Sequence, residues 1–379
     1  MDGSRNDTGE PDPGIGDDWI DGLPPSAGET PPRWPGPSNP GVVFPRLLIG
    51  WIILICAEVF SGASLGTGLW HPFTLIVTYW LYFAHFFFFT TLATRTGRTS
   101  LPSLYLWGVL FGLYESWITK VIWSGYGGDG KLAMGRIGPY GFSEISMVFI
   151  YHPVASFILP LAVACILCPP LRRLFPDLAW FTSQGKWARM AGIYMMVSFG
   201  IVMGMNSGGP VNLAKNVAVM LAVLLTLSWL ARPGLAVPDG RPIVAFGRWG
   251  FYGLCLYLAL LYRVMYVKLR PDALPSVRVQ LLTFVFYAVA IAGLWRHRRR
   301  EPLPEKAIAV DAGERKTVIT WFALVFVLGF LVSLLPRGPM VWVPFLLIVA
   351  VWPVAGFILT GIALWAGTRE SSDPLTSLP

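Results

Sequence analysis

Phe111-Gly112-Leu113-Tyr114-Glu115-Ser116-Trp117-Ile118-Thr119-Lys120-Val121-Ile122-Trp123 sets a glutamate and a lysine inside a run otherwise suited to lipid. An ionisable side chain near the centre of a bilayer costs about 2.5–3.5 kcal/mol on insertion scales. Such a residue turns toward the interior of a helix bundle, where it finds a partner or water. Glu115 is therefore the strongest functional pointer in the chain. Its setting decides the fold class, an all-α polytopic transmembrane helix bundle.

The rest of the chain agrees with that reading. Of 379 residues, 54% are hydrophobic and only 13% charged, against about 25% charged in a soluble domain. The 17 Trp and 24 Phe suit a protein with aromatic belts at two membrane interfaces. Net charge is +8, but its one dense basic run, Arg296-His297-Arg298-Arg299-Arg300, directly follows an apolar span. That placement marks a topology anchor, with His297 solvated among the arginines, and excludes nucleic acid as the partner.

Ten apolar spans follow one another, near 47–66, 73–94, 102–123, 145–168, 188–205, 214–231, 249–267, 279–295, 317–335 and 341–367. Each can cross a hydrocarbon layer that takes about 20 helical residues. Residues 1–46 hold ten prolines and eight acidic residues, too little apolar surface to fold. They read as a disordered cytoplasmic tail and not as a signal peptide. Residues 368–379 read as a second short cytoplasmic tail.

Ten spans put both termini on one side. Of the 29 Lys and Arg, 20 fall on the side of the termini and 7 on the other, with Lys120 and Arg263 inside spans. The excess places both termini in the cytoplasm and the protein in the inner cell membrane. Five spans on each side of the midpoint would allow an inverted repeat, yet the two halves show no internal similarity.

Motifs for soluble chemistry are missing. The glycine-rich connection after Ser124 follows no strand and has no GxxxxGK[ST] pattern, so it reads as a flexible connector. Cys56, Cys165, Cys168 and Cys255 all lie in apolar stretches and read as buried structural thiols. No Gly-x-Ser-x-Gly or H-E-x-x-H is present, and no cofactor is expected. A metal would need Glu58, Glu115 and His152 to converge, with His71 available as a fourth ligand. The sequence supplies no metal motif for them, and none is expected. The methionines of 190–205 read as helix packing, and the amides Asn206 and Asn212 as helix-break partners or solute contacts.

The ionisable residues share a depth. At 1.5 Å per residue, Glu58 stands roughly 18 Å and Glu115 roughly 20 Å from the inner face. His152 stands near 20 Å from it in a core of about 30 Å, and Arg263 at a similar level. Gly108, Gly112, Glu115 and Thr119 form one helical stripe, and small-residue stripes mark close helix contact in membranes. Glu115 should therefore point inward. Lys120, about 140° around the same helix and nearer its end, reads as a snorkelling interfacial lysine. His71 sits at an outer helix end. His85, mid-span with Thr78 and Tyr82 on its face, reads as a core histidine bonded to a neighbouring hydroxyl.

Gly112–Trp123 resembles a phrase found in an uncharacterised family of prokaryotic polytopic membrane proteins. The resemblance covers a dozen residues and carries no activity with it. It implies that Glu115, Thr119 and Lys120 belong to a recurring signature.

Three functions suit these residues. The first is a small-solute transporter, proton-coupled, with Glu115, Glu58 and His152 binding solute or protons and Arg263 as counter-charge. The second is a membrane-embedded enzyme acting on a lipid or isoprenoid through the same carboxylates. The third is a non-catalytic assembly or scaffold protein whose polar cluster only locks helices together. Expected partners are the bilayer and a small-molecule or lipid substrate; oligomeric state is not legible.

Overall fold

The computed structural model describes residues 40–125, 132, 134–182, 185–300, 302–303, 310–336 and 338–372. The expected tail over 1–46 falls outside them up to residue 39, and most of 368–379 does too. So do 126–131 and 133 of the glycine-rich connection.

Ten long helices run through the described residues. α1 is Val43–Leu54, continued as a π-helix over Ile55–Val59. α2 begins as a π-helix at Thr74–Thr78 and runs on through Tyr79–Thr96. α3 is Leu101–Thr119. α4 opens with a long π-helix, Met147–Ile158, and ends as Leu159–Leu167. The others are α5 (Lys186–Asn206), α6 (Pro210–Leu235), α7 (Arg248–Lys268), α8 (Val277–Arg296), α9 (Ala312–Leu334) and α10 (Pro339–Ser372). The one sheet among the described residues is a hairpin of two short strands, Arg136–Ile137 and Tyr140–Gly141.

Eight of these helices, all but α1 and α3, are long and apolar enough to cross a membrane. The two exceptions have separate causes. α1 stops at Val59 and gives way to turns, although the apolar run continues to residue 66. α3 has 19 residues, but its glycines, serines, tyrosines and Glu115 dilute its hydropathy. Both are core elements, with most of their side chains buried.

Burial sorts the helices into an inner set and a belt. The apolar window of α4 is 89% buried, whereas those of α6 and α10 are 17% buried. α3 packs on the π-helical half of α4, α1 on α6, α2 on α7 and α5 on α9. Leu225, Leu256, Phe284, Ile319 and Ile358 project from the belt as exposed apolar side chains, a surface suited to lipid tails.

Lipid tails are as apolar as leucine, so close packing holds membrane helices together. At Gly108 a Cβ would stand 2.5 Å from Pro153 Cα, and at Gly112 one would stand 3.0 Å from Val148 Cα. The small-residue stripe is thus the face by which α3 meets α4, and Glu115 and Thr119 continue the line toward the helix end.

The end of the bundle that carries the basic run is tied by ion pairs. Arg172 grips Glu314 through two contacts of 2.5 and 3.2 Å. Arg300 lies 2.7 Å from Asp177, whose other oxygen accepts the Leu101 N–H at 2.9 Å. His297 is buried, not solvated, and its Nε2–H donates to the Ala363 carbonyl at 3.1 Å. The run folds back under α10, which removes this one ring from water. Cys56, Cys165 and Cys168 are free and buried.

Candidate functional site

Three helix ends converge on one polar cluster. Glu58 lies one residue from the end of the α1 π-helix, and Glu115 four residues before the end of α3. His152 lies five residues into the π-helix of α4, just before Pro153. Pro153 has no N–H to offer the helix ladder. A π-helical turn widens the backbone spacing, and such turns recur at functional sites. Two of the three ionisable groups stand in one.

His152 is the centre of the cluster. Its Nε2 lies 3.0 Å from Glu115 Oε2, and its Nδ1 lies 3.0 Å from Ser156 Oγ. Phe111 stacks against the ring with centroids 5.6 Å apart. The Glu58 carboxylate accepts the Ser64 hydroxyl at 2.6 Å and also the Tyr82 hydroxyl. Glu115 and His152 both act on it electrostatically. His152 is 4% exposed and the Glu115 side chain 14%, so the cluster is nearly closed.

Backbone groups around it are satisfied by design of the neighbours. Tyr151 donates to the carbonyls of Cys56 and Ala57 at 3.0 and 2.9 Å. Ser61 donates to those of Ala57 and Glu58 at 2.9 and 3.1 Å. These are the carbonyls left without helix partners where α1 ends. Beyond them, residues 60–72 form a roof of turns that carries Ser64. Asn206 and Asn212 hold this roof by donating to the Ser61 and Leu65 carbonyls at 2.8 and 2.5 Å. Asn216 donates to Leu65 and accepts the Leu69 N–H at 2.8 Å. The amides near the end of α5 therefore bind backbone.

Two carboxylates, an imidazole and three hydroxyls can pass protons among themselves and hydrogen-bond a polar solute. Glu115, His152 and Ser156 form a carboxylate–imidazole–hydroxyl chain of the kind that activates a serine nucleophile. Ser156 is fully buried, so it orients the ring. Among the described residues no group of three or more His, Cys, Asp or Glu is arranged to hold a metal ion.

Residues 47–371, which include every member of the cluster, match the model of an uncharacterized membrane protein family. The chain belongs to this family. An uncharacterized protein from Archaeoglobus fulgidus is 27% identical over 290 residues, 76% of this chain and 87% of that relative. No solved structure matches the chain. The phrase at Gly112–Trp123 had pointed to such a family, and the match covers most of the chain.

The remaining expected site residues of this family member lie elsewhere. Arg263 is exposed on α7, five residues from its end at Lys268. That is roughly 8 Å along the axis, a distance an arginine stem covers by snorkelling. It does not balance the carboxylates. His71 is exposed in the turns, where its Nδ1 accepts the Phe73 N–H. Thr119 donates to the Glu115 carbonyl at 2.9 Å, a bond within its own helix. His85 is buried, and its Nδ1–H donates to the Leu81 carbonyl at 2.7 Å instead of meeting a hydroxyl.

Lys120 corrects the sequence reading most sharply. Its side chain is buried against protein and does not snorkel into water. α3 stops at Thr119, and Lys120 adopts a left-handed conformation with φ of 57°. The break swings its side chain onto the end of α7, where Nζ donates to the carbonyls of Met265 (2.8 Å), Tyr266 (3.1 Å) and Leu269. Arg270, the other left-handed non-glycine among the described residues, returns the contact. Its guanidinium donates to the carbonyls of Gly125 at 2.6 Å and Ser124 at 3.4 Å. Lys120 thus caps the negative end of α7, and Arg270 that of the short helical turn Val121–Ser124 that follows α3.

Sequence reasoning missed Ser64, Tyr82 and Ser156 as partners. Ser156 stands four residues after His152 on the same helix face, so its spacing was a usable signal. Tyr82 lay on the face credited to His85. Ser64 lies past a helix end that hydrophobicity does not mark.

Proposed function

We propose that the protein binds a small polar solute at Glu58, Glu115 and His152 and carries it across the inner cell membrane together with protons. Both termini face the cytoplasm in this reading, as the distribution of Lys and Arg favours. The solute site then lies at the outer end of the bundle, beneath the roof of residues 60–72.

One observation carries the proposal. Two carboxylates stand near a single imidazole, Glu115 in contact with His152 at 3.0 Å and Glu58 within electrostatic reach of both. A purely structural lock works by matched charges, because an uncompensated buried charge is costly. Here Arg263 and Lys120, the cations that could have matched the second carboxylate, serve other places. An acid-rich cluster exchanges protons and takes a cationic or hydroxylated solute. Its position in π-helical segments supports the same reading, since these turns can relax to α-helix and change side-chain facing.

The test is made on purified full-length protein in liposomes loaded with a pH-sensitive dye. Addition of amines, amino acids and polyols in turn is expected to find a solute that drives proton movement through the protein. Absence of any solute-driven proton movement across that panel would overturn the proposal.

A further inference from the structure

A second site lies on the other side of the Phe111 ring. Phe111 is stacked between two imidazoles, His152 at 5.6 Å and His85 at 5.1 Å, the latter almost parallel at 5°. On the His85 side is a cavity of about 390 Å³, lined by His85, Phe88, Tyr114, Cys255, Leu258 and Ala259 among others. It is walled by α2, α3 and α7. Ala259 at its rim is exposed, and so are the neighbouring Leu256 (62%) and Leu260 (57%). The mouth therefore opens on the apolar belt and not on the roof of turns.

His85 is out of place in such a cavity unless something meets it. It is fully buried at the middle of α2, and among the described residues its Nε2 has no hydrogen-bond partner. The bond to the Leu81 carbonyl fixes the tautomer, since a carbonyl only accepts. In the neutral ring the proton is then on Nδ1, and Nε2 presents a bare lone pair on the edge away from its own helix. Burying a polar atom without a partner is unfavourable anywhere, and lipid offers no water to relieve it. Tyr114 cannot serve, because its hydroxyl donates to the Leu258 carbonyl.

We infer that this cavity binds an apolar alcohol drawn from the bilayer, its hydrocarbon body in the pocket and its hydroxyl donating to His85 Nε2. The donor requirement follows from the tautomer, and the hydrocarbon from the aromatic and aliphatic walls. At about 30 Å³ per water-sized group, the volume takes roughly a dozen heavy atoms. A membrane source follows from the mouth, which is rimmed by lipid-facing residues of α7.

The experiment uses full-length protein in nanodiscs, with tritiated geraniol as probe and geranyl methyl ether as the competitor that lacks a donor. Geraniol is expected to bind saturably, and the ether to bind about 5- to 10-fold more weakly for want of one hydrogen bond. His85→Phe keeps a ring against Phe111 and removes the acceptor, so it should bring geraniol down to the level of the ether. Ala259→Trp fills the rim and should remove binding of both. Equal affinity of alcohol and ether for the native protein, or no saturable binding, would overturn the inference. Should His85→Phe fail to fold, the alcohol–ether comparison on native protein decides alone.

Discussion

Glutamine in place of Glu115 is expected to lower proton-coupled flux about 100-fold or more while leaving the fold intact. Gln has the same shape, and its carbonyl oxygen can still accept from His152 Nε2, now 3.0 Å from Glu115 Oε2. Packing against α4 is therefore preserved. What the proposed function would lose is a proton-transfer group, and removing one that is positioned typically costs 10²–10⁴-fold. Liposomes containing the variant, assayed beside native protein with equal thermal stability, check the expectation. Undiminished flux in the variant would show that Glu115 only braces the bundle.

The second large effect is on stability. Lys120→Met is expected to destabilise the protein by about 3 kcal/mol, from hydrogen bonds of about 1.5–3 kcal/mol each to a charged donor and a helix-end charge of up to about 2 kcal/mol. Relief of the buried ammonium offsets part of that sum. Methionine fills the same space, so the loss isolates three α7 carbonyls left without their donor. Thermal unfolding in detergent measures it. Lys120→Arg is expected to recover only part, because a planar fork cannot point three ways from one atom. A melting temperature unchanged in Lys120→Met would contradict the capping role.

The contrast between Glu115 and Lys120 shows how far the sequence reaches. Depth along a helix is legible from counting residues, so Glu58, Glu115 and His152 were placed together from sequence alone. The glycine stripe of Gly108 and Gly112 gave Glu115 its inward face, and the close approach to Pro153 and Val148 accounts for it. Facing fails where the helix does. The 140° rotation assigned to Lys120 assumed an unbroken helix, and the left-handed turn at that very residue turns the side chain inward.

Arg263 failed for a different reason. Depth puts a residue at a level but not on a side, and an arginine five residues from a helix end can face lipid and reach water. Eight of the ten long helices were legible because their apolar runs are of span length. The end of α1 was not, since residues 60–66 carry no charge or proline to mark where the helix stops. That miss hid Ser64, and with it the roof over Glu58.

The central claim is that Glu58, Glu115 and His152 act as one proton-exchanging unit. Infrared difference spectroscopy of the carboxyl stretch against pH, on native protein, Glu58→Gln and Glu115→Gln, tests it most directly. Groups that interact strongly titrate as a set. Each substitution is therefore predicted to delete one carboxyl band and to displace the titration midpoint of the other. Two bands that titrate independently, each unmoved by loss of its neighbour, would contradict the account.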